Sequence, residues 1–155
     1  TDADWAGGAT HGMSTSGYCS YVWGNLVTWR SKRQVVVSRS RIESELRALA
    51  LGICEGIWLK RLLVELGLFT GGSIKMFCDN QDAINIAKNP VHHDKTKHVE
   101  IDRNFITEKI ENATIQTIYT PSRLQIADIL TKAFPRNVFD KLVCKLGMFD
   151  IHNLA

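Results

Sequence analysis

The stretch GGSIKMFCDNQDAINIAKNP, residues 71–90, decides the fold class, because it changes period in its middle. Gly71-Gly72 precedes a run, Ser73 to Cys78, of strand length, with Ile74, Met76 and Cys78 on one face and Lys75, Phe77 and Asp79 on the other. Asp79-Asn80 then opens a short helix, DAINIAK, which Asn89-Pro90 ends, because the residue before a proline is pushed out of the helical region. A strand feeding a helix is the unit from which parallel sheets are built, and ligands in such sheets collect at the carboxyl ends of the strands. Asp79 stands at such an end.

Upstream, residues 17–24 (GYCSYVWG) are rich in aromatic and small residues, Gly24-Asn25 is a turn signal, and Leu26 to Trp29 resumes the apolar run, which predicts a hairpin. Val35-Val36-Val37 is expected to extend its second arm or to form a further short strand. From Ser40 to Leu66 the period becomes helical, with Ile42, Leu46, Leu49, Ile53 and Ile57 on one stripe and Gly67 placed as the terminal cap. Downstream, residues 96–111 predict a helix, Thr114 to Tyr119 a strand, and Pro121-Ser122 opens a helix carrying Leu124, Ala127, Ile129 and Leu130 with Asp128 among them. Pro135 to Gly147 predicts a terminal amphipathic helix. A hairpin followed by strand and helix units makes an α/β or α+β layer around a mixed sheet, antiparallel early and parallel late.

The 155 residues are 45% hydrophobic and 23% charged, which excludes disordered and fibrous classes and matches one globular domain over 1–155. No apolar run approaches a membrane span, and the start TDADWAGG has no signal-peptide pattern. Cys19, Cys54, Cys78 and Cys144 are dispersed without a C-x-x-C pair, so reduced thiols and an intracellular setting are expected. The net charge of +3 alone argues for no polyanionic partner. Its distribution says more, since Arg30, Lys32, Arg33, Arg39 and Arg41 form one acid-free cluster and Lys88, Lys95, Lys97 and Arg103 another. Such clusters suit a phosphate backbone, and removal of Lys32 and Arg33 would then flatten the salt dependence of binding.

Acids in unlikely places carry the remaining information. Asp2 and Asp4 lie in an apparent strand, Glu43 and Glu45 open the long helix, Asp79 ends a strand, and Asp128 lies in a mostly apolar helix. Buried carboxylates repel one another, so convergence of several implies a cation between them. Glu43 and Glu45 are about 200° apart on the wheel, so they cannot share a site. Glu43 pairs with Arg47 one turn on and is expected at the surface, whereas Glu45 shares its stripe with Leu49, Gly52, Gly56 and Leu63, where glycines admit another backbone. Glu45 is therefore the inward acid. For Asp79 a helix-capping role stays open, and for Asp128 the polar edge of its helix, with Gln125 and Lys132.

The order TDADWAG, SRIESELRA, FCDNQDA, NPVHHDKTKHV and SRLQIADILTK resembles, over nearly the whole chain, the ribonuclease H domain at the end of the reverse transcriptase of copia-type LTR retrotransposons. The resemblance implies a ribonuclease H-like fold: a mixed five-stranded sheet, three antiparallel then two parallel strands, with helices on both faces. It implies excision from the C-terminal end of a Pol polyprotein, whose polymerase domain would be a partner. It implies hydrolysis of the RNA strand of RNA/DNA hybrids, in a cytoplasmic virus-like particle or the nucleus. Asp2, Glu45, Asp79 and Asp128 become the catalytic and metal-holding set for two Mg²⁺, for which Mn²⁺ can substitute, with Asp2 bridging. Asn80, Gln81 and the backbone near Gly7-Gly8 become candidate contacts to the hybrid, together with Lys32, Arg33, Lys95 and Lys97. The stretch YTPSRLQIAD lacks the histidine that many ribonucleases H carry shortly before the last Asp, so turnover is expected to differ. His92, His93, Asp94 and His98 offer a zinc-like spacing, but no cysteine or further histidine nearby completes a tetrahedral set, and contacts to nucleic acid are the better reading.

Overall fold

A computed structural model describes residues 1–7, 12–69, 71–89 and 97–148. Three strands, β1 (Asp2–Asp4), β2 (Thr15–Val22) and β3 (Asn25–Arg33), are followed by the long helix α1 (Arg41–Glu65). Then come β4 (Ile74–Cys78), α2 (Gln81–Lys88), α3 (Lys97–Glu111), β5 (Ile115–Tyr119), two short 3₁₀ turns (Ser122–Leu124 and Ile126–Leu130) and α4 (Arg136–Leu146). The β2–β3 hairpin turns one residue earlier than expected. Val22 pairs with Asn25, and the turn residues Trp23 and Gly24 both take left-handed φ (50° and 82°), the geometry whose twist matches two right-twisted strands. Val35 to Val37 form no strand. Arg47 holds the Val36 carbonyl at 3.2 Å, and the three valines lie exposed in the connection to α1.

α1 begins and ends where its sequence signals fall. The Ser40 hydroxyl accepts from the Glu43 N–H at 3.1 Å. At the other end Gly67, at φ 69°, donates to the Val64 carbonyl and Leu68 donates to Leu63, closing a Schellman motif. Glu43 departs from expectation. It does pair with Arg47, at 2.9 Å, but it is buried, because its other oxygen accepts the Arg39 N–H at 2.8 Å and folds the carboxylate under the connection.

The strands form an antiparallel sheet in the order β1-β2-β3 and a parallel pair, β4-β5, rather than the single five-stranded sheet expected. Among the described residues the two meet where the Thr1 ammonium donates to the Phe77 carbonyl at 2.8 Å, one residue before β4 ends. β1 spans three residues, and among the described residues no ladder pairs it with β4.

Helical elements cover both faces of the three-stranded sheet. α1 lies against the face of Tyr18, and a side chain at Gly52 would collide with Thr1 and press on Met76. The opposite face carries Gly17, where a Cβ would meet Thr131 Cγ2 at 2.7 Å and Leu130 Cβ at 2.9 Å, so the second 3₁₀ turn rests directly on β2. α4 packs on that turn. The main core joins Leu46, Leu49 and Ile53 of α1 to Met76, Ala83, Ala87, Val99, Ile106 and Ile115. Residues 121–132 are not the continuous helix expected. Gln125 takes an extended backbone (ψ 103°), its amide donates to the Thr1 carbonyl at 2.8 Å, and its side-chain oxygen accepts from Ala127, so it breaks the helix and caps the second turn. Among the described residues no helix is long and apolar enough to cross a membrane, and the four cysteines are unbridged.

Candidate metal centre

Four elements each deliver one carboxylate to one end of the sheet. Asp2 comes from β1, Glu45 from the second turn of α1, Asp79 from the residue after β4, and Asp128 from the second 3₁₀ turn. All four residues are buried, Asp2 and Glu45 essentially completely. Asp79 is not the cap of α2. That role falls to Asn80, whose side chain accepts from the Ala83 N–H at 3.0 Å, so Asp79 is left to the site. Leaving the strand at this turn also buries Asp79, although Lys75 and Phe77, on its face of β4, are exposed.

Asp2, Asp79 and Asp128 can bring one oxygen each within 4.8 Å of one another, and so can Glu45 and Asp79 together with the Cys78 sulfur. Asp79 belongs to both groups, and Asp2, whose charge acts on Glu45 more strongly than that of Asp79, also lies close to Glu45. Cys78 is an unsuitable ligand for a hard ion. Its thiol is pushed up to about 12, first by burial and then by the charge of Glu45, and stays protonated at neutral pH.

The carboxylates are only partly satisfied by the protein. Thr131 donates its hydroxyl to Asp2 Oδ2, and Ser122 donates to Asp79 Oδ2 at 2.7 Å. The Lys132 ammonium lies 3.3 Å from Asp2 Oδ1 and 2.9 Å from Asp128 Oδ1, the latter an ionic contact off the line of a good hydrogen bond. Arg41 approaches Glu45 at 3.9 Å and Asp79 at 3.8 Å from a largely exposed position. Both Glu45 oxygens and Asp79 Oδ1 are buried without a hydrogen-bond donor. Such atoms are costly in a folded protein unless a ligand engages them.

The electrostatics agree. Burial, followed by the charges of Asp2 and Asp79, raises Glu45 to about 8 against the opposing pull of Arg41 and Lys132. Burial and Asp2 raise Asp128 to about 6, with Lys132 opposing. Burial works against the charge on Lys132, but Asp128 and Asp2 carry it above the ordinary lysine value. Two cations are thus too little for four acids. Orphaned oxygen donors, excess negative charge and a protonated thiol fit hard divalent ions such as Mg²⁺ or Mn²⁺.

The candidate hybrid contacts divide. In register, Asp2, Gly17 and Ser31 share one face of the sheet, as do Asp4, Thr15 and Arg33, whereas Ala3, Ser16 and Lys32 share the other. Arg33 and the exposed Trp29 therefore lie on the face of Asp2, and Lys32 lies on the α1 side. Gln81 is exposed and donates to Asn85, while Asn80 is buried by its capping role. Gly8, His92, His93, Asp94 and Lys95 fall outside the described residues, and Lys97 and His98 are placed only as backbone of α3. Sequence reasoning missed Ser122 and Thr131, read Arg41 only as part of a basic cluster and read Lys132 only as a polar edge. Arg41 and Lys132 stand four residues from Glu45 and Asp128, a spacing that signals a pair on a helix. Ser122 and Thr131 reach Asp79 and Asp2 across more than forty residues of chain, and no local signal marks them.

Comparison with known proteins places the chain beside transposon polyproteins. It is 36% identical over 148 residues to a retrovirus-related Pol polyprotein from transposon RE1 of Arabidopsis thaliana, a match covering 96% of this chain and 10% of that protein. It is 34% identical over 151 residues to the corresponding polyprotein from transposon RE2 of the same plant, covering 97% of this chain and 10% of that one. It is 37% identical over 145 residues to the polyprotein from transposon TNT 1-94 of Nicotiana tabacum, covering 94% and 11%. The chain thus spans about a tenth of the length of the curated relatives it matches. No family model and no solved structure matches it.

Proposed function

We propose that this chain, homologous over nearly its whole length to a segment of retrotransposon Pol polyproteins, is the ribonuclease H domain of a copia-type element. In this reading it has a ribonuclease H-like fold and hydrolyses the RNA strand of RNA/DNA hybrids during reverse transcription, beside the polymerase of the same polyprotein. The observation that carries the reading is the convergence of Asp2, Glu45, Asp79 and Asp128 from four separate elements, with oxygens left unpartnered.

These four residues would hold two Mg²⁺. Ions bound in pairs about 4 Å apart supply charge stabilisation for an in-line displacement at phosphorus and a water activated at neutral pH. The protein's own part is to fix the ligands and present the substrate. Ser122 and Thr131 each tie down one oxygen of Asp79 and Asp2, which sets the carboxylate planes and leaves the second oxygen of each free of a hydroxyl donor. Arg41 and Lys132 temper the repulsion among the acids and, being partly exposed, would meet an arriving phosphate. Arg33 and Trp29 offer a charge and an aromatic surface on the same face for the hybrid backbone, with Lys95 and Lys97 as the second basic group. Gln81, exposed two residues after Asp79, would read the 2′-hydroxyl that distinguishes RNA from DNA.

Cleavage of labelled RNA/DNA hybrid, duplex RNA and duplex DNA in Mg²⁺ tests this. Only the RNA strand of the hybrid should be cut, and Asp79→Asn should slow cutting on the order of 10²-fold or more, the loss of several kcal/mol of charge stabilisation. Cleavage by Asp79→Asn at the rate of the parent protein would remove the metal centre from the reaction.

A further inference from the structure

Ile74 and Met76 of β4 lie over Gly56 and Gly52 of α1, so by alternation Cys78 turns the same way, toward the start of α1 where Glu45 stands. A sulfur thereby sits among the oxygens. Cys78 Sγ, one oxygen of Glu45 and one of Asp79 all fall within 4.8 Å of one another. Cys78 is fully buried, and Glu45, 1% exposed, has no hydrogen-bond donor on either oxygen. Asp79 Oδ1 has none either, since Ser122 donates to Oδ2. The sulfur's own partners are weak: its S–H lies 3.9 Å from the Asn80 carbonyl, and the Asn80 N–H donates to it at 3.5 Å.

The other group of acids, Asp2, Asp79 and Asp128, offers oxygen alone and suits a hard ion. Thiolate sulfur selects instead for zinc and its softer congener cadmium. From this juxtaposition we infer that Cys78, Glu45 and Asp79 form a three-ligand site for a thiophilic divalent ion, Zn²⁺ or Cd²⁺, which excludes Mg²⁺ from that half of the centre and blocks it. The blocking rests on the nuclease reading, and the binding does not.

Around a tetrahedral zinc ion a sulfur and an oxygen ligand stand about 3.5 Å apart, so the three donors close on the ion by moving about 1 Å. Rotation of the Glu45 side chain supplies this, because no hydrogen bond holds its carboxylate. A water takes the fourth position, as in zinc sites with three protein ligands. As the metal–sulfur bond forms, the thiol proton leaves to solvent, and nothing is oxidised or reduced. The Asn80 N–H stays as a donor to the thiolate, on a turn that the Asn80 side chain fixes by capping α2. Arg41 approaches both acids from a largely exposed position beyond hydrogen-bond distance, so it swings out as the ion enters. An ion held in this way takes Glu45 and the free Asp79 oxygen from Mg²⁺. It offers a phosphate one exchangeable position, where hydrated Mg²⁺ offers several.

Titration of the whole chain with Cd²⁺ in the presence of Mg²⁺, without nucleic acid, reads the ligands by ultraviolet absorption and cadmium-113 NMR. Bound cadmium should give a sulfur-to-metal charge-transfer band and a resonance downfield of cadmium held by oxygen alone. Both should persist in a chain carrying Cys19→Ala, Cys54→Ser and Cys144→Ser. Cys78→Ala should abolish both and lower the affinity for Cd²⁺ relative to Mn²⁺ by on the order of tenfold or more. Glu45→Gln should weaken Cd²⁺ binding too, which a surface cysteine would not feel. Hybrid cleavage in Mg²⁺ should stop at Zn²⁺ concentrations far below that of Mg²⁺, and Cys78→Ala, measured against its own uninhibited rate, should resist. Cadmium ligated by oxygen alone in the parent chain overturns the inference without any variant having to fold. So does sulfur ligation that survives in Cys78→Ala. Sulfur ligation in a chain that cuts no hybrid would keep this site and remove the nuclease reading, and cleavage without sulfur ligation would do the reverse.

Discussion

Glu45 is buried with neither carboxylate oxygen hydrogen-bonded, and its titration has an unusual sign. Its folded value is about 8 against 4.5 for an ordinary glutamate, through burial first and the charges of Asp2 and Asp79 second. As pH rises through 4.5 the unfolded chain releases this proton before the folded one does, so folded stability falls up to about pH 8 and levels off above it. Asp128 adds the same trend between 3.8 and about 6. Thermal unfolding in the presence of a chelator should show a melting temperature lower at pH 8 than at pH 5, by about 5 °C or more. Glu45→Gln, which keeps the shape and loses the charge, should flatten the part of the slope above pH 6. A melting temperature that rises from pH 5 to 8, or a Glu45→Gln profile parallel to the parent's, contradicts this placement of the charge. The choice of Glu45 over Glu43 was legible from the helix wheel alone, because glycine spacing marks the inward stripe. The burial of Glu43 was not, because it depends on Arg39 reaching back from a connection with no periodicity.

At the scale of elements, position 17 decides whether the last acid reaches the others. Asp128 arrives on a 3₁₀ turn that rests on β2 because Gly17 has no side chain. Gly17→Val would drive methyl groups into Thr131 and Leu130, at a cost of about 2 kcal/mol of overpacking, and would lift Asp128 and Lys132 away from Asp2. The expected result is a modest fall in denaturation midpoint with hybrid cleavage reduced on the order of tenfold or more. Full activity in a stable Gly17→Val protein would show that the turn need not lie on β2. The limits of α1 were legible because Ser40 and Gly67 act within one turn of themselves. The 3₁₀ geometry of residues 122–130 was not, since it hinges on Gln125 binding Thr1, 124 positions away. An apolar spacing compatible with an α-helix says nothing of such a tether.

For the whole molecule, the strand and helix succession was readable from changes of hydrophobic period, and so was the set of acids worth following. Their assembly was not, because it depends on layers packed from both faces of the sheet. The division into three and two strands was equally hidden, since pairing across β1 and β4 involves backbone atoms that leave no mark on residue choice. Both features bear on one claim, that Asp2, Glu45, Asp79 and Asp128 form a single two-ion centre. Anomalous diffraction from crystals of the protein soaked in Mn²⁺ measures this directly. Two peaks about 4 Å apart among these four carboxylates are predicted. Absence of manganese there while the carboxylates keep the positions described, or peaks elsewhere alone, would contradict it.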